Sequence, residues 1–238
     1  MSLNHSPSIV TDGLVLCLDA ANQRSYPKSG TTWSDLAGAN NGTLTNMDAA
    51  NFSSDNGGSL SFDGSDDWVT LGSNSLTAGD SAFSAWGWIN TGSSSRQLFF
   101  GLDDQNHLDL NAHNTTGRNL SFHSFNRFVL HAPVNNLDLN VPQFVCWTHA
   151  GGTVNETNSK MYINGQLLSG YSYSYSDQIT SFNINTSQSN TISRSSAHNS
   201  YSGANRLSGG VYSVSIYNRA ITGDEIRQNY EATIGRYT

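Results

Sequence analysis

The apolar residues of this chain fall into short runs, and stretches rich in Gly, Asn and Ser separate one run from the next. The runs GLVLCLDAA at 13–21, FSAWGWIN at 83–90 and GGVYSVSIYN at 209–218 are examples. Side chains of a β-strand point to alternate faces, so short runs of this kind predict strands. Because helical segments do not alternate with the runs, we predict an all-β fold in which two antiparallel sheets form a sandwich.

The length of 238 residues suits one large β-sandwich, and no internal repeat, heptad or charge run marks a boundary within it. We therefore predict a single domain over residues 1–238, with residues 1–8 as an extended arm. The opening residues MSLNHSPSIV lack a charged and then apolar leader, so no signal peptide is predicted.

One segment near the end of the chain has the pattern of a helix. In TGDEIRQNYEAT, Thr222 is followed three residues later by Glu225, which is the spacing of a capping box. Ile226 and Tyr230 lie four residues apart and so share one face of a helix. We predict a short C-terminal helix that packs these two side chains against the sandwich.

Two further local patterns predict how strands are arranged. In FSAWGWIN, Trp86 and Trp88 fall on the same face of a strand, and a sandwich needs large side chains at its inward positions. We therefore expect both indoles in the sandwich interior. The pair Asn164-Gly165 between two apolar runs is a strong signal for a two-residue β-hairpin.

The charge of the chain argues against two classes of partner. Charged residues make up 12% of the sequence, the formal net charge is −7, and the only lysines are Lys28 and Lys160. Nucleic acids and anionic membrane surfaces are bound through basic patches. We therefore predict neither a nucleic-acid partner nor membrane insertion.

The two cysteines each lie within an apolar run, Cys17 in LVLCL and Cys146 in FVCWT. A cysteine in such a run behaves as a small hydrophobic residue, which favours buried free thiols. A disulfide between them stays open as the alternative, since it depends on whether the two strands are neighbours.

Several segments, taken together and in order, resemble laminin-G-like and concanavalin A-like jelly-roll domains. They begin with GLVLCLDAANQRSYPKSGTTWSDLAGANNGTL and continue with GGSLSFDGSDDWVTLG, FSAWGWI and KMYINGQLL. They end with GGVYSVSIYNRAITGDEIRQNY, so the resemblance extends over about residues 9–230. The opening block further resembles virion structural proteins of tailed phages, including those of cyanobacteria.

The resemblance implies a jelly roll of two antiparallel sheets. It implies that FDGSDDW is a turn between paired strands, and that IYNRAITGDEI carries the final core strand into a short helix. It does not imply one function, because this fold hosts lectins, glucanases, adhesion modules and capsid or fibre proteins.

The acidic residues do not have the pattern of a glycosidase. Hydrolysis with retention needs two carboxylates that flank the scissile bond. The glutamates are Glu156, in a loop, and Glu225 and Glu231, in the predicted helix. In GLDDQNHLDL, Asp103 and Asp104 have the setting of turn residues. We therefore predict no catalytic residues and no enzymatic activity.

The segment DGSDD brings Asp63, Asp66 and Asp67 together, and calcium prefers clustered oxygen ligands. An Asx turn, in which an aspartate accepts hydrogen bonds from its own backbone, explains the same pattern and is favoured. We predict no cofactor and no metal ligands, with calcium as the alternative. His107 and His113 are expected at the surface.

The segment GYSYSYSD at 170–177 alternates tyrosine with serine. In a strand, Tyr171, Tyr173 and Tyr175 would form a stripe on one face, with the serines opposite. Tyrosine is enriched at protein interfaces, stacks on sugar rings and also fills cores. The three tyrosines are therefore candidates for a subunit interface or a ligand-binding platform, with the core as the third alternative.

The sequence hypothesis is a non-enzymatic virion structural protein of a phage, either a capsid decoration or a tail or fibre component. Its expected location is the virion, assembled in the host cytoplasm, and its expected partners are other virion proteins and further copies of itself. The alternative is a glycan-binding adhesin module that recognises host surface polysaccharide, with or without calcium.

Overall fold

The chain folds into two antiparallel β-sheets that face each other, with one α-helix on the outer surface of the first sheet. The computed structural model describes residues 7–111, 118–124, 128–174, 181–194 and 205–237. The predicted class, an all-β two-sheet sandwich with a short C-terminal helix, is confirmed. Residues 1–6 of the predicted arm lie outside the described part of the chain.

The first sheet has eight strands in the order β14-β13-β12-β7-β17-β5-β4, and β1 pairs with β17 beyond the segment that pairs with β5. The strands of this sheet are β1 (Leu14–Asp19), β4 (Phe52–Ser53), β5 (Ser59–Asp63), β7 (Phe83–Thr91), β12 (Gln143–His149), β13 (Ser159–Ile163), β14 (Gln166–Leu167) and β17 (Ser208–Tyr217).

The second sheet has nine strands in the order β15-β11-β10-β9-β8-β16-β6-β3-β2. The strands of this sheet are β2 (Thr32–Trp33), β3 (Gly42–Thr45), β6 (Trp68–Leu71), β8 (Gln97–Gly101), β9 (Asn106–Leu110), β10 (Leu120–Ser124), β11 (Phe128–His131), β15 (Ser172–Ser174) and β16 (Thr191–Ile192).

The main core lies between the two sheets. Phe83 from the first sheet meets Phe122 from the second edge to face, with ring centroids 6.5 Å apart. Trp147 stacks on Phe99 at 5.7 Å, and its Nε1 donates a 3.1 Å hydrogen bond to the carbonyl of Ser121. Aromatic pairs of this geometry stabilise the contact beyond the apolar area that they bury.

The segment FDGSDDW does not join paired strands, so this expectation from the resemblance is wrong. Strand β5, before the turn, pairs with β4 and β17 of the first sheet. Strand β6, after the turn, pairs with β3 and β16 of the second sheet. The turn therefore carries the chain from one sheet to the other.

Trp86 and Trp88 are buried, as expected, but not in the sandwich interior. Both lie in a second apolar cluster on the outer surface of the first sheet, beneath the helix, whereas Phe83 and Ala85 face the main core. Strand β7 lies centrally in its sheet, and the helix covers its outer face. The face of β7 that carries the larger side chains is therefore the outer face, and the face with Phe83 and Ala85 is the one toward the main core.

The helix α1 (Gly223–Thr233) begins at the predicted capping box. Thr222 Oγ1 accepts from the Glu225 backbone N–H, and the Glu225 carboxylate accepts from the Thr222 N–H. Tyr230 stacks on Trp88 with ring centroids 5.8 Å apart, and Ile226 is fully buried. In the described part of the chain, no helix combines the length and apolarity needed to cross a membrane.

The predicted hairpin at Asn164-Gly165 joins β13 and β14. Both residues have positive φ, 50° and 75°, as the favoured two-residue hairpin turn requires. The free thiols are also confirmed. Cys17 pairs with Ser215, Ser215 with Trp86, and Trp86 with Cys146. Three strand spacings of about 4.8 Å separate the two cysteines, which is too far for a disulfide.

Candidate functional site

The outer face of the second sheet is polar along one transverse row of cross-strand partners. The row takes one residue from each of the nine strands: Ser174, Val129, His123, His107, Gly101, Thr191, Thr70, Thr43 and Thr32. The residues next to them in sequence, such as Leu108, Phe122 and Leu130, face the main core. This face therefore offers hydroxyl and imidazole groups on a backbone held by sheet pairing.

A buried charged cluster lies in the middle of this face. His107 and His123 are direct cross-strand partners, and Asp109 follows His107 by two residues on the same side. Arg96 Nε and Nη2 donate to Asp109 Oδ2 at 2.9 and 2.6 Å, and His123 Nδ1 lies 3.1 Å from that oxygen. The expectation that His107 is exposed is wrong, because its side chain is completely buried. His113 lies outside the described residues.

The charges within this cluster are balanced. Burial by itself would raise the pKa of Asp109, but the Arg96 guanidinium and His123 outweigh burial and hold that pKa well below its usual range. Donor atoms of His107, Asp109 and His123 are close enough to hold a metal ion. Arg96 Nη2 already contacts both Asp109 and His123, so a cation lies between two of these donors. The arrangement is that of a buried ion pair.

A polar cavity of about 370 Å³ opens where the β8–β9 turn meets the segment before β16. We call it the amide pocket. Its polar wall consists of Asp103, Asp104, Gln105, Asn106, Asn183 and Asn185, with Ser124 of β10 beside them. Gly79 and Ile184, which also line the cavity, exchange two backbone hydrogen bonds of 3.0 Å. The volume lies within the range of small-ligand sites, and the lining is more polar than is usual for them.

Asp103 holds the amide pocket together. Its Oδ1 accepts from the backbone N–H groups of Gln105 and Asn106, both at 2.7 Å. Its Oδ2 accepts from Asn106 Nδ2 at 2.8 Å and from the Asn185 N–H at 2.9 Å. The prediction that Asp103 is a turn residue is therefore confirmed, and the same carboxylate joins segments that are far apart in the sequence.

The orientation of the Asn106 amide follows from these contacts. A carboxylate only accepts hydrogen bonds, so the NH2 group of Asn106 must face Asp103, and it also lies 3.4 Å from the carbonyl of Asn183. The other amide atom, Oδ1, is buried and has no hydrogen-bond partner among the described residues. A buried acceptor of this kind costs about 1–3 kcal/mol unless a donor reaches it. Asn106 thus places a fixed, buried acceptor that has no donor among the described residues in the wall of the amide pocket.

The glutamates lie away from the amide pocket. Glu225 belongs to the helix cap, where Arg219 and the Thr222 backbone lower its pKa to about 2. Glu156 accepts from the Gly170 N–H, and Glu231 lies on the helix, 4.0 Å from Arg227. Among the described residues, the carboxylates of the amide pocket are Asp103, which four hydrogen bonds occupy, and Asp104.

The segment DGSDD forms the predicted Asx turn. Asp63 Oδ1 accepts from the N–H groups of Ser65 and Asp66, at 2.7 and 3.2 Å. Asp67 Oδ2 accepts from the Asp63 N–H and from Asn51 Nδ2. Backbone and amide donors therefore engage two of the three carboxylates.

The tyrosine stripe lies at the edge strand β15 of the second sheet. Tyr171 is partly buried against the main core, and its hydroxyl accepts a 2.7 Å hydrogen bond from the Met161 N–H of the first sheet. Tyr173 is 44% exposed and donates to the Val154 carbonyl at 3.3 Å. Tyr175 lies outside the described residues. Tyr171 therefore closes the open edge between the sheets, and the interface and ligand roles of the stripe stay predictions.

Sequence reasoning did not identify two features of the second sheet. Trp68 is not an open stacking surface, because the guanidinium groups of Arg194 and Arg206 lie 4.7 and 5.0 Å from its ring centre. Asn106 was also missed, because it follows a turn and belongs to no catalytic or metal-binding motif. The run DDQN at 103–106 carries a local signal for an Asx turn but none for the cavity beside it.

Comparisons with known proteins agree with this architecture. A family model described as "Concanavalin A-like lectin/glucanases superfamily", of the laminin-G type, matches residues 63–227. No curated protein matches the chain at a significant level.

Solved structures with this fold have low sequence identity to the chain. Domain 4 of a GH43 extracellular arabinanase from Geobacillus stearothermophilus, solved with arabinotriose, is 16% identical with a TM-score of 0.62 and covers 91% of this chain and 98% of that one. Trypanosoma rangeli sialidase with the inhibitor DANA is 15% identical with a TM-score of 0.57 and covers 99% and 36%. The botulinum neurotoxin serotype D binding domain is 18% identical with a TM-score of 0.54 and covers 94% and 52%. The chain thus spans about a third of the sialidase and half of the toxin domain.

Proposed function

This chain belongs to the concanavalin A-like lectin/glucanases superfamily, and we propose that it binds carbohydrate in the amide pocket without hydrolysing it. The observation that carries the proposal is the polar cavity of about 370 Å³, whose described lining is rich in amide side chains and includes Asn106, with its buried Oδ1 without a hydrogen-bond partner among the described residues. A sugar hydroxyl can donate to an amide oxygen of such a wall and accept from a neighbouring amide at the same time. Amide side chains around a polar cavity therefore match a hydroxyl-rich ligand.

The arabinanase comparison supports this proposal. That solved domain carries arabinotriose, and nearly its whole length aligns with this chain. The likeness in fold leaves the position of the ligand open. The amide pocket supplies a position from the contacts of this chain alone.

The arrangement of carboxylates favours binding over catalysis. A glycosidase needs one carboxyl group that can donate a proton and a second that attacks or activates water. In the amide pocket, Asp103 is occupied by four hydrogen bonds that hold the walls together. Asp109, in the charged cluster, has a strongly lowered pKa and cannot act as a general acid near neutral pH. Among the described lining residues, the second carboxylate beside Asp104 is therefore Asp103, whose oxygens already accept these four hydrogen bonds.

A glycan array tests the proposal. The wild-type chain should bind a subset of the saccharides, and Asn106→Ala and Ser124→Ala should weaken that binding. Gln166→Ala is the matched control, because Gln166 is an exposed amide on edge strand β14 of the other sheet. Equal binding by the wild type and Asn106→Ala, or release of sugar from bound oligosaccharides, would contradict a non-hydrolytic site in the amide pocket.

The setting of this module is a separate proposal. The opening segments LVLCLDAAN, SYP and GTTWSDLAG, within 14–38, resemble virion structural proteins of tailed phages, and this supports placing the module on a capsid, tail or fibre. Self-association through the exposed edge near Tyr173 would fit such an assembly. An antibody raised against the chain should label purified particles of the source phage, and labelling confined to soluble lysate would contradict the virion location.

A further inference from the structure

We propose that the amide pocket selects uncharged saccharides and rejects those that carry a carboxylate or sulfate. This inference rests on the proposed function and adds the class of ligand. It is carried by the balance of acceptors and charges in the wall of the pocket, to which the orientation of Asn106 contributes one acceptor.

The wall of the amide pocket is rich in acceptors. Asp103 and Asp104 contribute carboxylates, and the Asn106 amide is oriented so that its oxygen is the atom without a protein donor among the described residues. An anionic group needs donors, preferably charged ones, and it gains little from oxygen acceptors. Among the described lining residues, the side-chain donors are neutral amide and hydroxyl groups, which stabilise an anion less than charged donors do.

The charge of the wall points in the same direction. The described lining residues include two aspartates and no Lys, Arg or His. Asp103 is only 1% exposed, so solvent and salt screen its charge less than that of a surface group. A carboxylate brought next to these groups meets like charges, and such a contact costs binding free energy that a hydroxyl does not lose.

The absence of rings among the described lining residues limits the ways in which a ligand can be held. Without an aromatic surface for stacking, binding depends on hydrogen bonds between ligand hydroxyls and the amides of Gln105, Asn106 and Asn185. A site that hydrogen-bonds particular hydroxyls rejects ligands that lack them, because buried polar groups are then left unpaired. The expected ligand is a short neutral segment or chain end.

Matched sugar pairs test the selection. Each pair consists of a terminal glucose or galactose and the corresponding uronic acid, presented on the same oligosaccharide, so only a hydroxymethyl group is replaced by a carboxylate. The neutral member should bind the wild type at least about tenfold more tightly at low salt. The ratio of the two affinities, neutral sugar over uronic acid, should fall as the salt concentration rises, because Asp104 is partly exposed and salt screens its charge.

Asp104→Asn removes one charge from the wall and should bring the ratio closer to one. Asp55→Asn is the matched control, since it makes the same change at an exposed position beside the first sheet and should leave the ratio unchanged. The selection is overturned if the wild type binds the uronic acid as tightly as the neutral sugar. If Asn106→Ala weakens the binding of both sugars, the proposed function still stands. An unchanged ratio in Asp104→Asn also overturns it. If neither the neutral sugar nor the uronic acid of any pair binds, both proposals are overturned.

Discussion

Asn106 Nδ2 donates a 2.8 Å hydrogen bond to Asp103 Oδ2, and this contact decides which amide atom of Asn106 has no hydrogen-bond partner among the described residues. The two residues are three positions apart, so the turn that contains them also orients the binding group. Asp103 Oδ2 also accepts a hydrogen bond from the Asn185 N–H, and this contact brings a segment that is distant in the sequence to the wall of the amide pocket. One buried carboxylate thus organises the wall of the amide pocket.

Replacing Asp103 should destabilise the fold. Asp103→Asn puts an NH2 group where the carboxylate accepts from three backbone N–H groups and one amide. At least one of these buried donors loses its partner, at a cost of about 1–3 kcal/mol for each group. Urea unfolding should show this loss. Asp138→Asn, at an exposed position, should change the free energy of unfolding by less than about 0.5 kcal/mol, and a similar small effect for Asp103→Asn would contradict its structural role.

The Arg96–Asp109 pair should behave as a coupled unit. The Arg96 and Asp109 side chains are 7% and 1% exposed. Removing one partner leaves a buried charge and should cost about 3–5 kcal/mol. We expect that cost for Arg96→Met and a comparable one for Asp109→Asn, and we expect the double variant to lose much less than the sum. A double-mutant cycle by denaturant unfolding measures the coupling, and additive losses would show that the two side chains do not interact.

Stability should fall as the pH drops below neutrality because of His149. Burial lowers the pKa of His149 below 6.5, although Asp80, 3.3 Å away, opposes the shift. The unfolded state then binds a proton at a higher pH than the folded state, so unfolding is favoured as the pH falls through 6.5 toward the folded pKa. Unfolding free energies at pH 7, 6 and 5 should decline in the wild type. The decline should be smaller in His149→Gln, and equal slopes for the two proteins would rule out this residue as a source.

The helix should detach more easily when Trp88 is shortened. Trp88 stacks on Tyr230, and its Nε1 donates a 2.7 Å hydrogen bond to Thr233 Oγ1. Trp88→Ala should cost about 3–5 kcal/mol and should raise the amide exchange of α1 more than that of β9. Val134→Ala, at a side chain that is 43% exposed, is the control and should leave exchange in α1 unchanged. Equal increases in α1 and β9 would indicate global destabilisation instead.

The features that the sequence predicted correctly depend on neighbours along the chain. The hairpin at Asn164-Gly165, the cap at Thr222 and the turn at Asp103 each follow from a few consecutive residues and their backbone preferences. The short alternating apolar runs predicted the class of fold, and the resemblance to known jelly rolls agreed with it. These signals are independent of which strands become neighbours.

The features that the sequence did not predict depend on strand pairing over long distances. The alternation of Trp86 and Trp88 with smaller residues shows that a strand has two faces, but the docking of a helix decides which face lies outside the sandwich. His107 and His123 form one cluster only because β9 pairs with β10 in a particular register. Asn106 and Asn185 line one cavity although 79 positions separate them.

The most direct test of carbohydrate binding in the amide pocket is an NMR titration of the isotope-labelled chain with the neutral saccharide that the array ranks highest. The backbone amides of Gln105, Asn106 and Asn185 should show the largest shifts, and these shifts should be lost in Asn106→Ala and kept in Gln166→Ala. Shifts centred instead on the tyrosine edge near Tyr173, or no saturable shifts with any saccharide, would contradict a carbohydrate site in this pocket.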